Sequence, residues 1–431
     1  MILAAALGLV FRPSLDDDLG YLRQVAREVV GASRVDREAS IPGVGKNQTG
    51  FVLRVPGGTQ TYYPAFWIRD AAMMLGADLV PADEVEGWIR LVASTQPDRA
   101  IDFPHGLHIP PRSIPDHVTL RGEACWFPGA YADQGVGDFG FLPPADDAFY
   151  FIQMVDEHCR LTGRPPAWSV GKRTALEAAV DAFDSVEVED SSQLVVGSSE
   201  PGKGRVDWGF CDSITKTGKF LMPSLLRWQA ARRLAQLCER AGDAARAARF
   251  RSLSVQITES LADTFWVPGH KLLISATGIG RKDDVWASAF AVAIGALPKA
   301  VERVVSQNLV ELCIAGGTVR EGQVRHLPPT GDFGGYWEQA KSGRDTYQNG
   351  GFWATPLGWL AVAVSKVDQN AAHQLVQDFV AHVRRERAQG APFEWTNPAT
   401  GARANGNYGS SAGLVYIVLR DAGWYRKLEA R

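Results

Sequence analysis

The chain has 431 residues, 45% of them hydrophobic and 22% charged, with a formal net charge of −3. That composition suits a soluble globular protein with a large core. Without a basic stripe it excludes nucleic acid as a natural partner.

The apolar start, MILAAALGLVF, is too short to span a membrane. It has no basic leading segment, so it reads as a buried segment rather than a signal remnant. Leu15 to Gly31 reads as an amphipathic helix, and Gly43 to Tyr63 as a short hairpin. Trp67 to Leu79 reads as an apolar helix stopped by Pro81, followed by a helix over Ala82 to Ser94. A long loop from Gln96 to Pro144 follows, too long for a plain connector, so it is expected to wall or cover a site with Trp126, Phe127 and Tyr131. Helices are then predicted over Asp146 to Thr162 and Val170 to Phe183. A Ser-, Gly- and Pro-rich loop runs to Gly218. The pair Lys219 to Ala241 and Ala244 to Trp266 comes next, then a short strand over Lys271 to Ser275. Helices over Asp284 to Leu297 and Val301 to Ile314, a Gly-rich loop to Gly350, and the pair Phe352 to Ser365 and Asn370 to Gln389 follow. A loop from Gly390 to Asn407 leads into a last helix, Tyr408 to Asp421.

The twelve helices form six pairs with short internal turns and long connections between pairs. Every second helix is apolar all round, as in Ala287-Ser288-Ala289-Phe290-Ala291-Val292-Ala293, while its partner carries charge on one face. The first kind is buried and the second covers it. Six inner and six outer helices in alternation predict an all-α (α/α)6 barrel with short β-hairpins in the loops, one domain over the whole chain. The long loops then gather on one face. An open helical solenoid is the alternative, and long loops without a tight repeat argue against it.

The loop residues are those of a binding site. Trp67-Ile68-Arg69-Asp70, Trp126, Asp207-Trp208, Trp286, Trp337, Tyr347-Gln348-Asn349, Trp353 and Glu394-Trp395 lie at inner-helix entrances or on the loops that lead to them. Aromatic faces stack on the C–H faces of sugar rings, and planar carboxylates and amides take the hydroxyls. An apolar crater with a few fixed polar groups is the make-up of a ligand site. Helix capping is the plainer role for Asp146, Asp147, Asp283 and Asp284. Within Gly204-Arg205-Val206-Asp207-Trp208-Gly209, an acid beside an indole is partly desolvated, which raises its proton affinity as a general acid requires.

The chain resembles the six-hairpin glycosidase superfamily. Trp67-Ile68-Arg69-Asp70 is similar to the Trp-x-Arg-Asp run of debranching-type glucosidases and family 125 exo-mannosidases. Phe393-Glu394-Trp395-Thr396-Asn397-Pro398-Ala399-Thr400-Gly401 resembles the segment that carries the general base in glycoside hydrolase family 63. The resemblance places the general acid before the sixth helix, where Asp207 lies.

The resemblance implies an inverting glycoside hydrolase, and the long loop from Gln96 to Pro144, which would enclose the site and exclude long chains, predicts exo action on a short oligosaccharide or small glycoside. Inversion needs an acid for the leaving oxygen and a carboxylate for water on the opposite face. Asp207 is the expected acid and Glu394 the base, with Asp212 and Glu338 in reserve. Trp67, Arg69, Asp70, Trp126, Trp208, Trp286, Trp337, Tyr347, Gln348, Asn349, Trp353 and Trp395 are the expected substrate contacts. No metal or cofactor is required; His105, His108, His117, Asp102 and Asp116 share one loop without diagnostic spacing. Rival readings on the same barrel are a sugar epimerase with paired histidines, for which His326 is the nearest candidate, an inverting phosphorylase, and a non-catalytic carbohydrate-binding barrel. Cys125, Cys159, Cys211, Cys238 and Cys313 are odd in number and scattered, which predicts a reduced, cytoplasmic protein with no membrane partner.

Overall fold

The computed structural model describes residues 14–57, 62–76, 78–128, 140–197, 205–330 and 333–429. The apolar start and Tyr131 lie outside the described residues.

Among the described residues, twelve helices of six residues or more run in order: α1 (Leu15–Ala32), α2 (Ile68–Met73), α3 (Ala82–Thr95), α4 (Asp147–Thr162), α5 (Ala175–Asp184), α6 (Leu221–Arg240), α7 (Ala244–Phe265), α8 (Val285–Ile294), α9 (Lys299–Ala315), α10 (Leu357–Ser365), α11 (Gln369–Glu386) and α12 (Gly409–Asp421). Helix α2 packs on α4, α4 on α6, α6 on α8, α8 on α10, α10 on α12, and α12 back on α2. The even helices thus close a ring and the odd helices pack outside it, giving the (α/α)6 barrel.

Local sequence explains these elements. In α8, eight consecutive residues from Val285 to Val292 are buried. The carboxyl of Asp284 accepts the Ala287 N–H at its start, and Gly295 ends it at a φ of 72°, a conformation that favours glycine. Outer helix α11 is amphipathic, capped by Asp368, with Arg384 and Arg385 in its last turn where the helix dipole favours them. A capping box of Thr174 and Glu177 opens α5.

The structure departs from the expected elements where strands intervene. Helix α2 is shorter than expected: it starts at Ile68 because Trp67 ends a strand, Ala65–Trp67, that pairs with His117–Thr119, and it stops at Met73, six residues before Leu79. The expected hairpin over Gly43 to Tyr63 is replaced by two pairings: Ser40–Ile41 with Gly45–Lys46, and Arg34–Val35 with Leu53–Arg54. No strand spans Lys271 to Ser275; a single bridge joins Ile274 to Asp283. Phe352 and Trp353 are strand, and α10 begins only after Pro356. They belong to a five-stranded antiparallel sheet: Val319–Arg320, Gln323–Arg325, Phe352–Trp353, Phe393–Asn397 and Ala402–Gly406. This sheet carries Glu394.

Candidate active site

A cavity of about 220 Å³ lies at the N-terminal ends of the inner helices. Trp67, Arg69 and Asp70 reach it from the start of α2, Phe210 and Asp212 from the loop before α6, Tyr347 from the loop before α10, and Glu394 and Tyr408 from the segment before α12. Tyr63, Pro128 and Gly209 complete the lining among the described residues. A larger cavity, about 430 Å³, opens along the barrel from the other end. It is lined by none of the residues expected to touch substrate or to catalyse.

Three carboxyl groups face the smaller cavity, those of Asp70 and Glu394 buried and that of Asp212 half-buried. Glu394 lies on Phe393–Asn397, opposite Asn405 on the paired strand. Tyr63 donates its hydroxyl to Glu394 Oε1 at 3.0 Å, and Asn405 donates Nδ2–H to Oε2 at 2.5 Å. Burial outweighs these donors, and with the neighbouring charges of Asp70 and Asp212 it raises the Glu394 carboxyl to about 8. Asp212 accepts Gln348 Nε2–H at 3.0 Å. Burial is again the largest influence, against the Gln348 donor, and raises Asp212 to about 6. Asp70 accepts the Ser410 hydroxyl and is raised to about 6, chiefly by burial.

Arg69 anchors the floor. Its Nε is 2.8 Å from Asp146 Oδ2, and its Nη2 is 2.9 Å from Asp116 Oδ1 and 3.0 Å from Asp147 Oδ2, all buried. One guanidinium cannot neutralise three carboxylates. Burial, reinforced by the charges of Asp146 and Asp116, lifts Asp147 well above the usual carboxylate range. Asp146 also accepts the Gly209 N–H at 3.2 Å. A Cβ on Gly209 would lie 1.7 Å from Arg69 Cζ, so only glycine lets that backbone approach. Asp116 also bonds His117 Nδ1 at 2.8 Å, and the His117 ring stacks on Trp67 at 4.0 Å. The expected capping role falls to Asp284 alone of the four aspartates. Asp146 and Asp147 serve Arg69, and Asp283 bonds His270.

The structure brings Trp67, Arg69, Asp70, Tyr347 and Glu394 together on one cavity. It places the other expected residues elsewhere. Asp207 is buried with its Oδ2 2.7 Å from Lys216 Nζ, behind the loop rather than in the cavity. Trp208 donates its indole N–H to Tyr150 and packs edge-on against Trp286 at 5.9 Å, which packs in turn on Trp353 at 5.6 Å. These indoles form a layer beneath the cavity, joined to its wall through Phe210, whose ring is 5.2 Å from Trp208. Trp337 and Trp353 donate to the backbone carbonyls of Gln348 and Tyr347. Asn349 accepts the Trp337 N–H and donates to the Ser342 carbonyl, and Trp395 packs against the main core. Trp126 packs with Leu107, Ile109 and Phe127. Glu338 accepts the Gly280 N–H. His326 is buried between Asp284 and Cys211, stacked on Trp286 at 4.2 Å, and no histidine is among the described residues that line the cavity.

Tyr63, Phe210, Tyr408 and Asn405 were not among the expected residues. Tyr408 had a signal: it is an aromatic at the mouth of the last inner helix, as elsewhere on this rim. Asn405 had none, because only the strand pairing sets it against Glu394.

No protein-family model matches the chain, and neither does any curated protein sequence. Solved structures do match in fold. A family 63 mannosylglycerate hydrolase from Thermus thermophilus, in complex with glucose, superposes with a TM-score of 0.56 at 14% identity, over 92% of this chain and 99% of that one. A family 15 glucoamylase from Hypocrea jecorina gives a TM-score of 0.59 at 13% identity, over 95% of this chain and 73% of that one. A family 78 rhamnosidase of Bacillus sp. GL1 gives 0.55 at 12% identity; this chain is matched over 94% of its length but spans only 35% of the rhamnosidase. The fold of this chain is the (α/α)6 barrel of the six-hairpin glycosidases.

Proposed function

We propose that the protein is an inverting, exo-acting glycoside hydrolase in which Asp212 is the general acid and Glu394 the general base. The observation that carries this reading is that two carboxyls with raised proton affinity, half-buried Asp212 and buried Glu394, face one small cavity also lined by Trp67, Tyr63, Tyr347 and Tyr408. Glu394 keeps the role expected of it. The acid moves five residues along the same loop, because Asp207 is committed to Lys216 and Asp212 faces the cavity. Asp212 still lies before the sixth helix, where the family resemblance puts the acid.

In this mechanism Asp212 gives its proton to the glycosidic oxygen as the bond to the anomeric carbon breaks. Glu394 takes a proton from a water whose oxygen bonds that carbon from the opposite face. Asp70 and Arg69 hold hydroxyls of the terminal sugar, and Trp67 supplies an apolar face. A cavity of about 220 Å³ suits one sugar ring rather than a through-running polymer, which favours exo action on a small glycoside. Hydrolysis by mannosylglycerate hydrolase and glucoamylases of the same fold supports the substrate class. A single catalytic domain and a cytoplasmic setting are part of the reading; the five cysteines form no disulfide.

One observation favours a second assignment. Glu394 holds its proton to about 8 and Asp212 only to about 6, the order expected if Glu394 were the acid and Asp212 the base. A screen of nitrophenyl glycosides, with the anomer of the first product followed by NMR, tests the proposal. Release of an inverted sugar from a chain end is expected. Retention, or cleavage of a polymer at internal bonds, would contradict it.

A further inference from the structure

Gln348 is buried and does not line the cavity, although its position beside Tyr347 makes it a natural candidate for a sugar contact. Its side chain is held at one end by Ser213. The Ser213 N–H donates to Gln348 Oε1 at 3.0 Å, and the Ser213 hydroxyl donates to the same oxygen at 2.5 Å. A backbone N–H can only donate, so the amide atom facing Ser213 is the oxygen, and its orientation is fixed by the network. The other amide atom is therefore the nitrogen, an obligate donor, and it points at Asp212 Oδ1 from 3.0 Å.

We infer that Gln348 is the positioning residue of the catalytic acid: it occupies Asp212 Oδ1 and so confines the transferable proton to Oδ2. This rests on the reading of Asp212 given above. An oxygen that accepts from an amide nitrogen cannot at the same time present its own hydrogen along that line. A protonated Asp212 therefore carries its hydrogen on the other oxygen. Without this donor the carboxyl could turn about its terminal bond and exchange the two oxygens. Ser213 directly follows Asp212, so Gln348 grips the acid and its neighbour together and ties the loop before α6 to the loop before α10. The donor also favours the charged carboxylate; with the charge of Arg69 and the Tyr347 hydroxyl it opposes burial and the charge of Asp116, which raise Asp212.

The test compares wild type with Gln348→Met, which keeps the bulk and removes the donor. The titration of Asp212 is followed by carboxyl 13C NMR in 13C-aspartate-labelled full-length protein, with Asp212→Asn assigning the signal. Loss of a hydrogen bond to a charged group should raise the Asp212 midpoint by about one to two units. The limb of the pH–rate profile that depends on Asp212 should move up with it. With the nitrophenyl glycoside the wild type cleaves, kcat should fall roughly ten- to hundredfold through misplacement of the acid, with KM little changed. An unmoved midpoint, or a raised KM with kcat intact, would overturn the inference. Should Gln348→Met not fold, Gln348→Glu keeps the shape and the Ser213 contact; there the two carboxyls share a proton, and the midpoint should rise further. The NMR titration needs no substrate. If Asp212→Asn leaves hydrolysis intact, the acid assignment fails, while a shifted midpoint still establishes the Gln348 pairing.

Discussion

Lys216 Nζ lies 2.7 Å from Asp207 Oδ2, and both side chains are buried. The pair closes the loop that carries Asp212, like a clasp at its two ends. Lys216 also sits 4.8 Å from the centre of the Trp337 ring. Removing one partner of a buried ion pair leaves an uncompensated charge and costs about 3–5 kcal/mol, whereas replacing both by apolar groups is often neutral. Asp207→Asn should therefore lower Tm markedly and reduce activity through the loop. The double variant Asp207→Leu/Lys216→Met should recover most of the stability. Asp207→Asn with unchanged Tm and a large loss of kcat would return the acid to Asp207.

Gly209→Ala tests the floor of the site. The added methyl would overlap Arg69, whose guanidinium holds Asp116, Asp146 and Asp147. Displacing that buried cation should cost about 3 kcal/mol or more and abolish activity. Gly20→Ala in α1, where nothing lies within 4 Å of the new Cβ, should instead stabilise by up to about 1 kcal/mol. Thermal denaturation of the two variants side by side measures the difference.

Stability should depend on pH through the site itself. Asp70 and Asp212, raised to about 6, and Glu394, raised to about 8, stay protonated in the fold where the unfolded chain would ionise them. The native state then binds more protons than the unfolded state between about pH 4 and pH 8, and stability falls as pH rises through that window. The contribution lost is on the order of several kcal/mol. Glu394→Gln removes the group with the largest shift of these three, so it should flatten the slope and raise Tm at pH 8. Denaturation midpoints from pH 5 to 8 would check this; a wild type whose stability rises across that range would contradict it.

The barrel was legible because burial writes itself into composition. All-apolar stretches such as Val285–Ile294 can only be inner helices, and charged stretches such as Gln369–Glu386 cover them. The five-stranded sheet was not legible. Its strands are two to five residues long and spread from Val319 to Gly406, so only tertiary pairing defines them. In the site, Glu394 and the Trp67–Asp70 run were readable from local motifs. The proposed acid, Asp212, lies on the loop that the sequence pointed to but five residues beyond Asp207. Asp207 beside Trp208 satisfies the argument for a desolvated acid, yet the indole turns into the core toward Tyr150 and the carboxyl turns to Lys216. Asp212 follows Gly209-Phe210-Cys211 with no distinguishing neighbour, and its partner Gln348 is 136 residues away. The rim tryptophans misled in the same way: Trp208, Trp286 and Trp353 are aromatic because they fill the layer under the cavity.

The most direct test of the account is leaving-group dependence in two variants, Asp212→Asn and Glu394→Gln. Each keeps its shape and loses proton transfer, so each should lose about 10²–10⁴-fold in kcat on an ordinary glycoside. With a dinitrophenyl glycoside or a glycosyl fluoride, whose leaving group needs no proton, Asp212→Asn should regain much of its rate. Glu394→Gln should not, because the attacking water still lacks its base. Rescue of Glu394→Gln alone would reverse the two roles, and full activity of either variant on the ordinary glycoside would contradict the assignment of the site.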